Sequence, residues 1–545
     1  MNRFSRLSIA IGLCTVGLGT LALPTAAQSP TECAPTGEID ALRLLRQTSL
    51  DVRGRIPSFE ELTAVRDAED PNAEVDRQLG AWLASDDFYD EVRRQHRQIL
   101  WGSLEEIDRL RPQAYTVSPQ DGIYRSQSQA RRRQFRGRDL TCLDREQTQF
   151  EGGRPVPMER INGADCGNVG FGAGVCVREG WVRVRPYWDP STEIRVCAFD
   201  AQAHGMRSDG TACRDLDTDR NCGCGADLRW CASPAAETVM RDALADEPAR
   251  LFESIVREDR PYHEAFTTRE TRINGPVAHF HRYLSGAPNE TTMQVGLVGY
   301  EGRMGEVPNV PFDDRAWRTI ERAEGHAGVL TTPGYLLRFN SHRARANRFY
   351  TAFLCDPFVP SATGIPAEEE EPDPNLRVRA GCADCHEVLE PAAAHWGRWR
   401  INSTFGFFDD ASHDFASPLA SCRCGGPGER TCNAYCNTYF VTGANSHADT
   451  YAEYGGLPLA SIYLADEELR AVDLGPAALL DEDAEIRQLG VCATRTLAER
   501  FLGRPVEPSE AQWLQDRVDA FQESEWSYAA LVEAIARDPK YRAIR

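Results

Sequence analysis

Apolar residues recur at helical spacing toward both ends of the chain, and a different pattern separates them. Near the N-terminal end, Pro57-Ser58-Phe59-Glu60-Glu61 places a glutamate three residues after a serine, a capping box that predicts a helix running to about Asp67. A second helix is predicted over about Asn72–Ala84. Ser85 then caps a third, with Phe88, Tyr89, Val92, Ile99 and Leu100 on one buried face. Thr238–Phe266 carries Leu251, Phe252, Ile255 and Val256 at the same spacing. In the last hundred residues Gly503-Arg504 precedes Pro508-Ser509 and Gln512, which predicts a second capping box with Trp513, Val518 and Phe521 behind it. The two ends echo each other. Gly54-Arg55 and Pro57-Ser58 answer Gly503-Arg504 and Pro508-Ser509, and Asp86–Asp90 answers Asp538–Arg542. This is read either as an internal duplication or as two similar helix pairs.

Between the helical ends, cysteine and glycine replace helical periodicity. Cys142, Cys166, Cys176, Cys197, Cys213, Cys222, Cys224 and Cys231 form an even set, which predicts up to four disulfides in place of a large core. Trp181–Arg185 and Ile194–Cys197 alternate around the turn Asp189-Pro190-Ser191, predicting a β-hairpin. Asp215, Asp217 and Asp219 have the spacing of a Ca²⁺ loop, but Arg220 stands where the sharp-turn glycine belongs, which argues against one. Pro360–Ala380, with four prolines and Glu368–Glu371, reads as a solvated linker. The expected fold class is therefore mainly α: several helical domains, one of them carrying the chemistry, with a disulfide-rich insert containing a β-hairpin. The boundaries drawn are 1–27, 28–135, 136–235, 236–350, 351–445 and 446–545.

Residues 1–27 read as a secretory signal. Arg3 and Arg6 precede the apolar run Leu7–Leu23, and Thr25-Ala26-Ala27 offers small residues for cleavage. The run is short for a membrane span, and no later stretch is apolar enough, so no transmembrane segment is expected after cleavage. The whole chain has 545 residues, 41 % hydrophobic and 26 % charged, an ordinary globular composition. Its formal charge of −21 argues against nucleic acid as a partner. Loss of the signal would leave 59 basic against 82 acidic residues, a net −23. Lys540 is the one lysine, which excludes lysine Schiff-base and P-loop chemistry elsewhere. Eighteen cysteines fit the periplasm, the cell surface or the medium, where disulfides persist, better than a reducing cytosol.

Cys382-Ala383-Asp384-Cys385-His386 is a C-x-x-C-H sequence, the attachment signature of c-type haem. Two thiols two residues apart can add to the two vinyl groups, and the adjacent histidine can ligate the iron as proximal ligand. Pro391 is the candidate for holding the other ring nitrogen through its carbonyl. Competing readings are a chance match, a thioredoxin-like redox pair, which would need a βαβ context, and a zinc site, which would need two more close ligands. For the distal position no methionine follows the motif; Met293 and Met304 lie well before it. His395 and His342 are the distal candidates, with His413, His447, His279 and His281 further off, although a lone histidine is more often a packed or surface residue. A vacant distal position is equally open. Cys422, Cys424, Cys432 and Cys436 form a second cluster, read as disulfides around Gly425–Gly428 in preference to a zinc knot. No hydrolase elbow, zincin, Walker or dinucleotide motif is present.

Three segments resemble a family of large exported, multi-domain cytochrome-c-like proteins of the planctomycete and myxobacterial type. They are Leu45–Trp101, with "SLDVRGRIPSFEEL" and "LASDDFYDEVRRQHRQILW"; Ala327–Trp399, which ends in the C-x-x-C-H; and the end from Cys492, with "CATRTLAERFLGRPVEPSEAQWLQ". The resemblance implies a haem-bearing helical domain with Cys382 and Cys385 as attachment points, His386 as axial ligand and Pro391 as its support. Many members place a methionine three residues past the histidine, where this chain has Leu389. The resemblance implies a haem protein and no particular reaction.

The expected function is one-electron transfer through one covalent haem c, with a redox partner protein that is basic, drawn by the negative charge. Two alternatives stand beside it: a haem enzyme with an open distal site for peroxide or oxygen chemistry, and a disulfide-rich extracellular interaction protein. One discrepancy remains. Setting aside the signal's Cys14, the insert's eight cysteines and the haem pair leaves Cys33, Cys355, Cys422, Cys424, Cys432, Cys436 and Cys492, an odd number that cannot pair completely.

Overall fold

The computed structural model describes residues 39–102, 116–163, 166, 174–203, 205–208, 210, 213, 219–284, 307–359, 376–377, 379–397, 399, 471 and 474–543. The signal segment, Cys33, Asp215, Asp217, Met293, Met304, His413, His447 and the Cys422–Cys436 cluster lie outside these residues.

The N-terminal helices follow from their caps. Asp40 accepts from the N–H groups of Leu42 and Arg43 and opens α1 (Ala41–Arg53), which Gly54 ends at φ 66°, a conformation natural to glycine. Ser58 and Glu61 form the predicted reciprocal capping box of α2 (Phe59–Asp67). Asp70 caps α3 (Pro71–Trp82) and Ser85 caps α4 (Asp86–Ile99), both close to the predicted positions.

The insert stands on short strands. β1 (Val117–Gln120) and β2 (Ile123–Ser126) precede α5 (Gln129–Arg136), and the predicted hairpin forms from β3 (Trp181–Val184) and β4 (Ile194–Cys197). The sheet order is β1-β2-β4-β3, with Trp181 opposite Cys197 and Val184 opposite Ile194. Four disulfides fix it: Cys142–Cys197, Cys166–Cys176, Cys213–Cys222 and Cys224–Cys231. Small apolar clusters such as Val117, Val184, Val196 and Leu228 supply little core, and charge fills part of the interior. Arg131, Arg136, Glu179 and Asp200 are fully buried and paired with one another, and Arg131 also donates to the Cys222 carbonyl at 2.6 Å. Burying two cations with two anions keeps the site neutral, the condition under which such groups are tolerated.

α6 (Pro234–Arg257) is the central helix, buried along most of its length and packed on α4. The predicted stretch to Phe266 breaks at Glu258, and a short helix resumes over Glu264–Thr267. Pro248 inside α6 leaves the Leu244 carbonyl without its helical donor. Gly334 packs its backbone there: a Cβ at that position would lie 2.2 Å from the Leu244 oxygen. An antiparallel pair, β5 (Glu270–Ile273) with β6 (Arg318–Glu321), flanks this helix, followed by α7 (His342–Phe353) and α8 (Ala383–Ala394).

The C-terminal set corrects one expectation. α9 (Asp483–Leu502) ends at Gly503 with φ 65°, and the capping box that follows is Glu507 with Glu510, not Ser509 with Gln512. Pro508 and Ser509 lie inside a short 3₁₀ turn that leads into α10 (Ala511–Glu523), so the carboxylate of Glu507 caps in place of the serine hydroxyl. With that shift, one offset in numbering relates Gly54 to Gly503, Ser58 to Glu507 and Glu61 to Glu510. α11 (Tyr528–Ala536) and α12 (Pro539–Arg542) complete the set. The two terminal sets, drawn above as separate domains, pack on one another. The Ile39 amide donates to the Arg542 carbonyl at 3.0 Å, the Tyr541 hydroxyl bonds Asp51 at 2.8 Å, and Arg500 pairs with the buried Glu91. A fifth disulfide, Cys355–Cys492, ties the end of α7 to α9 and removes two cysteines from the unpaired seven. Among the described residues, no helix is long and apolar enough to cross a membrane.

Candidate functional site

The C-x-x-C-H sequence winds through the first turn of α8. Cys382 is the N-cap residue, and its carbonyl accepts from the amides of Cys385 and His386 at 3.2 and 3.0 Å. This turn brings both sulfurs and the imidazole to one end of the helix. Ten of the described cysteines are joined in five disulfides; Cys382 and Cys385 are the two that are not, and both are partly exposed.

His386 is oriented from within its own helix. Its Nδ1 hydrogen-bonds Glu390 Oε1, four residues on and therefore on the same face. Arg343 of α7 donates its Nε–H to the same carboxylate oxygen at 2.7 Å. Glu390 is almost wholly buried, so the guanidinium supplies the compensating charge. A carboxylate only accepts, so Nδ1 carries the ring proton and Nε2 keeps its lone pair for a metal.

Pro391 is not the support expected. The helix runs through it to Ala394, so its carbonyl points along the axis toward the C-terminal end, away from His386. Glu390, its neighbour, takes the role, and the i,i+4 spacing from His386 was the signal that could have found it.

Both distal candidates hold a backbone carbonyl through one ring nitrogen. His395 is the C-cap residue just past α8, nine residues after His386 and about two and a half turns on, and so leaves the opposite face. Its Nδ1 bonds the Gly475 carbonyl at 2.8 Å. His342 is buried, and its Nε2 bonds the Trp399 carbonyl at 2.6 Å. Burial, helped by Arg345, lowers its pKa to about 3 and keeps the ring neutral. It is Arg343, the next residue on α7, that reaches the site. His279 stacks on Tyr187 at 3.6 Å and joins the insert to the helical body, and His281 is buried.

Of the candidate ligands in the calcium and zinc-knot readings, only Asp219 is among the described residues. Asp219 accepts from Ser208 and from the Asn221 amide, closing its own loop. Cys142, Glu179 and Cys197 come within ligand distance of one another, but the two sulfurs are bonded together and Glu179 is paired with Arg136. No protein-family model, curated protein or solved structure matches the chain.

Proposed function

We propose that this chain is an exported carrier of one covalent c-type haem that passes single electrons. One observation carries the reading. In a chain whose other described cysteines are all disulfide-bonded, the two left as thiols are those of the C-x-x-C-H turn, beside a histidine whose Nδ1 a buried carboxylate holds. The residues fit the group. Cys382 and Cys385 would form the two thioether bonds, His386 Nε2 would take the iron, and Glu390 with Arg343 would hold the ring. Bound iron would supply the ferrous–ferric couple. Five disulfides agree with a periplasmic or extracellular site of action, and the net charge of −21 suits a basic redox partner, with association weakening as salt rises.

A second reading, an enzyme with an open distal position, draws on the same geometry. His395 and His342 each have one ring nitrogen engaged with a backbone carbonyl away from the C-x-x-C-H turn. Two measurements on protein matured with the haem-attachment machinery decide. The mass of the peptide containing Cys382 and Cys385 is expected to include one haem. A peptide with two free thiols, or with a disulfide between them, would overturn both haem readings. If haem is present, a low-spin spectrum in both oxidation states supports the carrier, whereas high-spin ferric iron that binds cyanide supports the enzyme.

A further inference from the structure

A cleft of about 210 Å³ opens where the two terminal helical sets meet, between α4 and α9. Its mouth is polar and exposed, formed by Gln98, Thr496 and Arg500. Apolar walls from Ile99, Phe353, Leu489 and Leu497 lead to a buried floor of His96, Tyr262 and Tyr528. This combination, mostly apolar with a few fixed polar atoms at one end, is that of a small-molecule site.

The hydrogen bonds of the floor determine what it can read. His96 Nδ1 lies 2.8 Å from the Val92 carbonyl, which only accepts, so Nδ1 carries the ring proton. Nε2 is then an acceptor, and the Tyr262 hydroxyl 3.0 Å away must donate to it. Burial holds this imidazole neutral, which agrees with that assignment. The Tyr528 hydroxyl likewise turns its proton toward Gln95 Oε1 at 3.3 Å. Both phenolic protons are committed to the protein, so the Tyr262 and Tyr528 oxygens can only accept from a ligand. The two rings stack at 5.3 Å between centroids, and His96 stacks on Phe252 at 4.0 Å, which fixes the floor in place. At the mouth Arg500 and Arg94 share the one carboxylate of Glu91, so the guanidinium nearest the cleft is already held, and the apolar walls below it favour an uncharged ring.

We propose that this cleft binds an uncharged, single-ring aromatic molecule carrying a hydroxyl, the phenol class, with the ring between the apolar walls and its O–H donated to the tyrosine oxygens of the floor. The size agrees, since cavities of about 150 Å³ with apolar walls accept benzene, which leaves room here for a ring and its substituent. The site is separate from the C-x-x-C-H turn and does not depend on haem.

The test uses the full-length protein with phenol and benzene as probes, followed by calorimetry and ligand-observed NMR. Phenol is expected to bind saturably, and more tightly than benzene. Tyr262→Phe should weaken phenol about 3- to 10-fold, the value of one hydrogen bond, and leave benzene unchanged. Ala493→Phe, which fills the cleft from α9, should abolish binding of both. Thr496→Trp at the exposed mouth is a second block that leaves the interior untouched, in case the filled variant does not fold. Phenol binding that never saturates, or that survives Thr496→Trp unchanged, would overturn the site; benzene binding as tightly as phenol would overturn its chemistry.

Discussion

Glu390 accepts the Nδ1–H of His386 from one turn earlier on the same helix, and the same oxygen takes the Nε–H of Arg343 at 2.7 Å from a neighbouring helix. The pair turns an exposed-end histidine into an oriented ligand. If the haem reading is right, Glu390→Ala should keep both thioether bonds, because the cysteines are unchanged, yet loosen the axial bond. Losing such a partner typically costs about 10- to 100-fold in ligand affinity. Imidazole titration of the ferric protein should then displace His386 at correspondingly lower concentration. An unchanged titration would remove Glu390 from the site.

Glu61 is the acceptor around which the N-terminal helices close. Both its oxygens receive Arg53, at 2.9 and 2.9 Å, while Trp82 Nε1 and the Ser58 amide add two more donors. Burial alone would raise this carboxyl, but those hydrogen bonds outweigh it and hold the pKa at about 2. Since the folded value lies below the unfolded one, Glu61 stabilises the fold at neutral pH, and that contribution is lost as pH falls from about 4.5 toward 2. Glu61→Gln should cost about 2–3 kcal/mol at pH 7, because the buried Arg53 loses its counter-charge, and much less near pH 2. Urea denaturation of both proteins at the two pH values checks it; an equal cost at both would refute the assignment.

What the sequence made legible was local. Ser58 with Glu61, Ser85, and the alternation around Asp189-Pro190-Ser191 act within a few residues of themselves, and each element formed where these signals put it. The errors came where two local signals competed. Pro508-Ser509 matched Pro57-Ser58 by identity, but the cap falls two residues earlier, where the Glu507 carboxylate accepts from the Glu510 amide and Glu510 bonds back to the Glu507 amide. Pro391 was the candidate for holding the ring through its carbonyl, but α8 runs through it and leaves that work to Glu390. The rest depends on residues far apart in the chain. Arg343 meets Glu390, Cys355 meets Cys492, and Arg136 meets Glu179 and Asp200, and no spacing rule announces any of them.

The last of these contacts gives the insert its own test. Arg136 and Glu179 have no solvent exposure, and Asp200 lies 3.5 Å from the same guanidinium. Removing one partner leaves an uncompensated charge in a segment with almost no apolar reserve. Glu179→Ala should therefore cost about 3–5 kcal/mol, as breaking a buried pair does. Limited proteolysis should show cleavage between Cys142 and Cys231 before the helical body opens. Stability within about 0.5 kcal/mol of the parent, the range of a surface change, would mean the cluster is solvated.

Histidines set a second pH window, above that of Glu61. Burial lowers His96 to about 4, and His279, His281 and His342 each to about 3. All four are neutral when folded, whereas in the unfolded chain each gains a proton near pH 6.5. The unfolded state then binds more protons, so stability is full above about pH 6.5 and falls as pH drops toward 4. The slope expected is about 1 kcal/mol per histidine per pH unit below 6.5. Melting temperatures measured from pH 7.5 to 4.5 should decline steadily. His342→Gln, which keeps an amide donor for the Trp399 carbonyl, should lessen that decline by one histidine's share, about 1 kcal/mol per pH unit. A flat profile between pH 7 and 5 would show that these rings reach water.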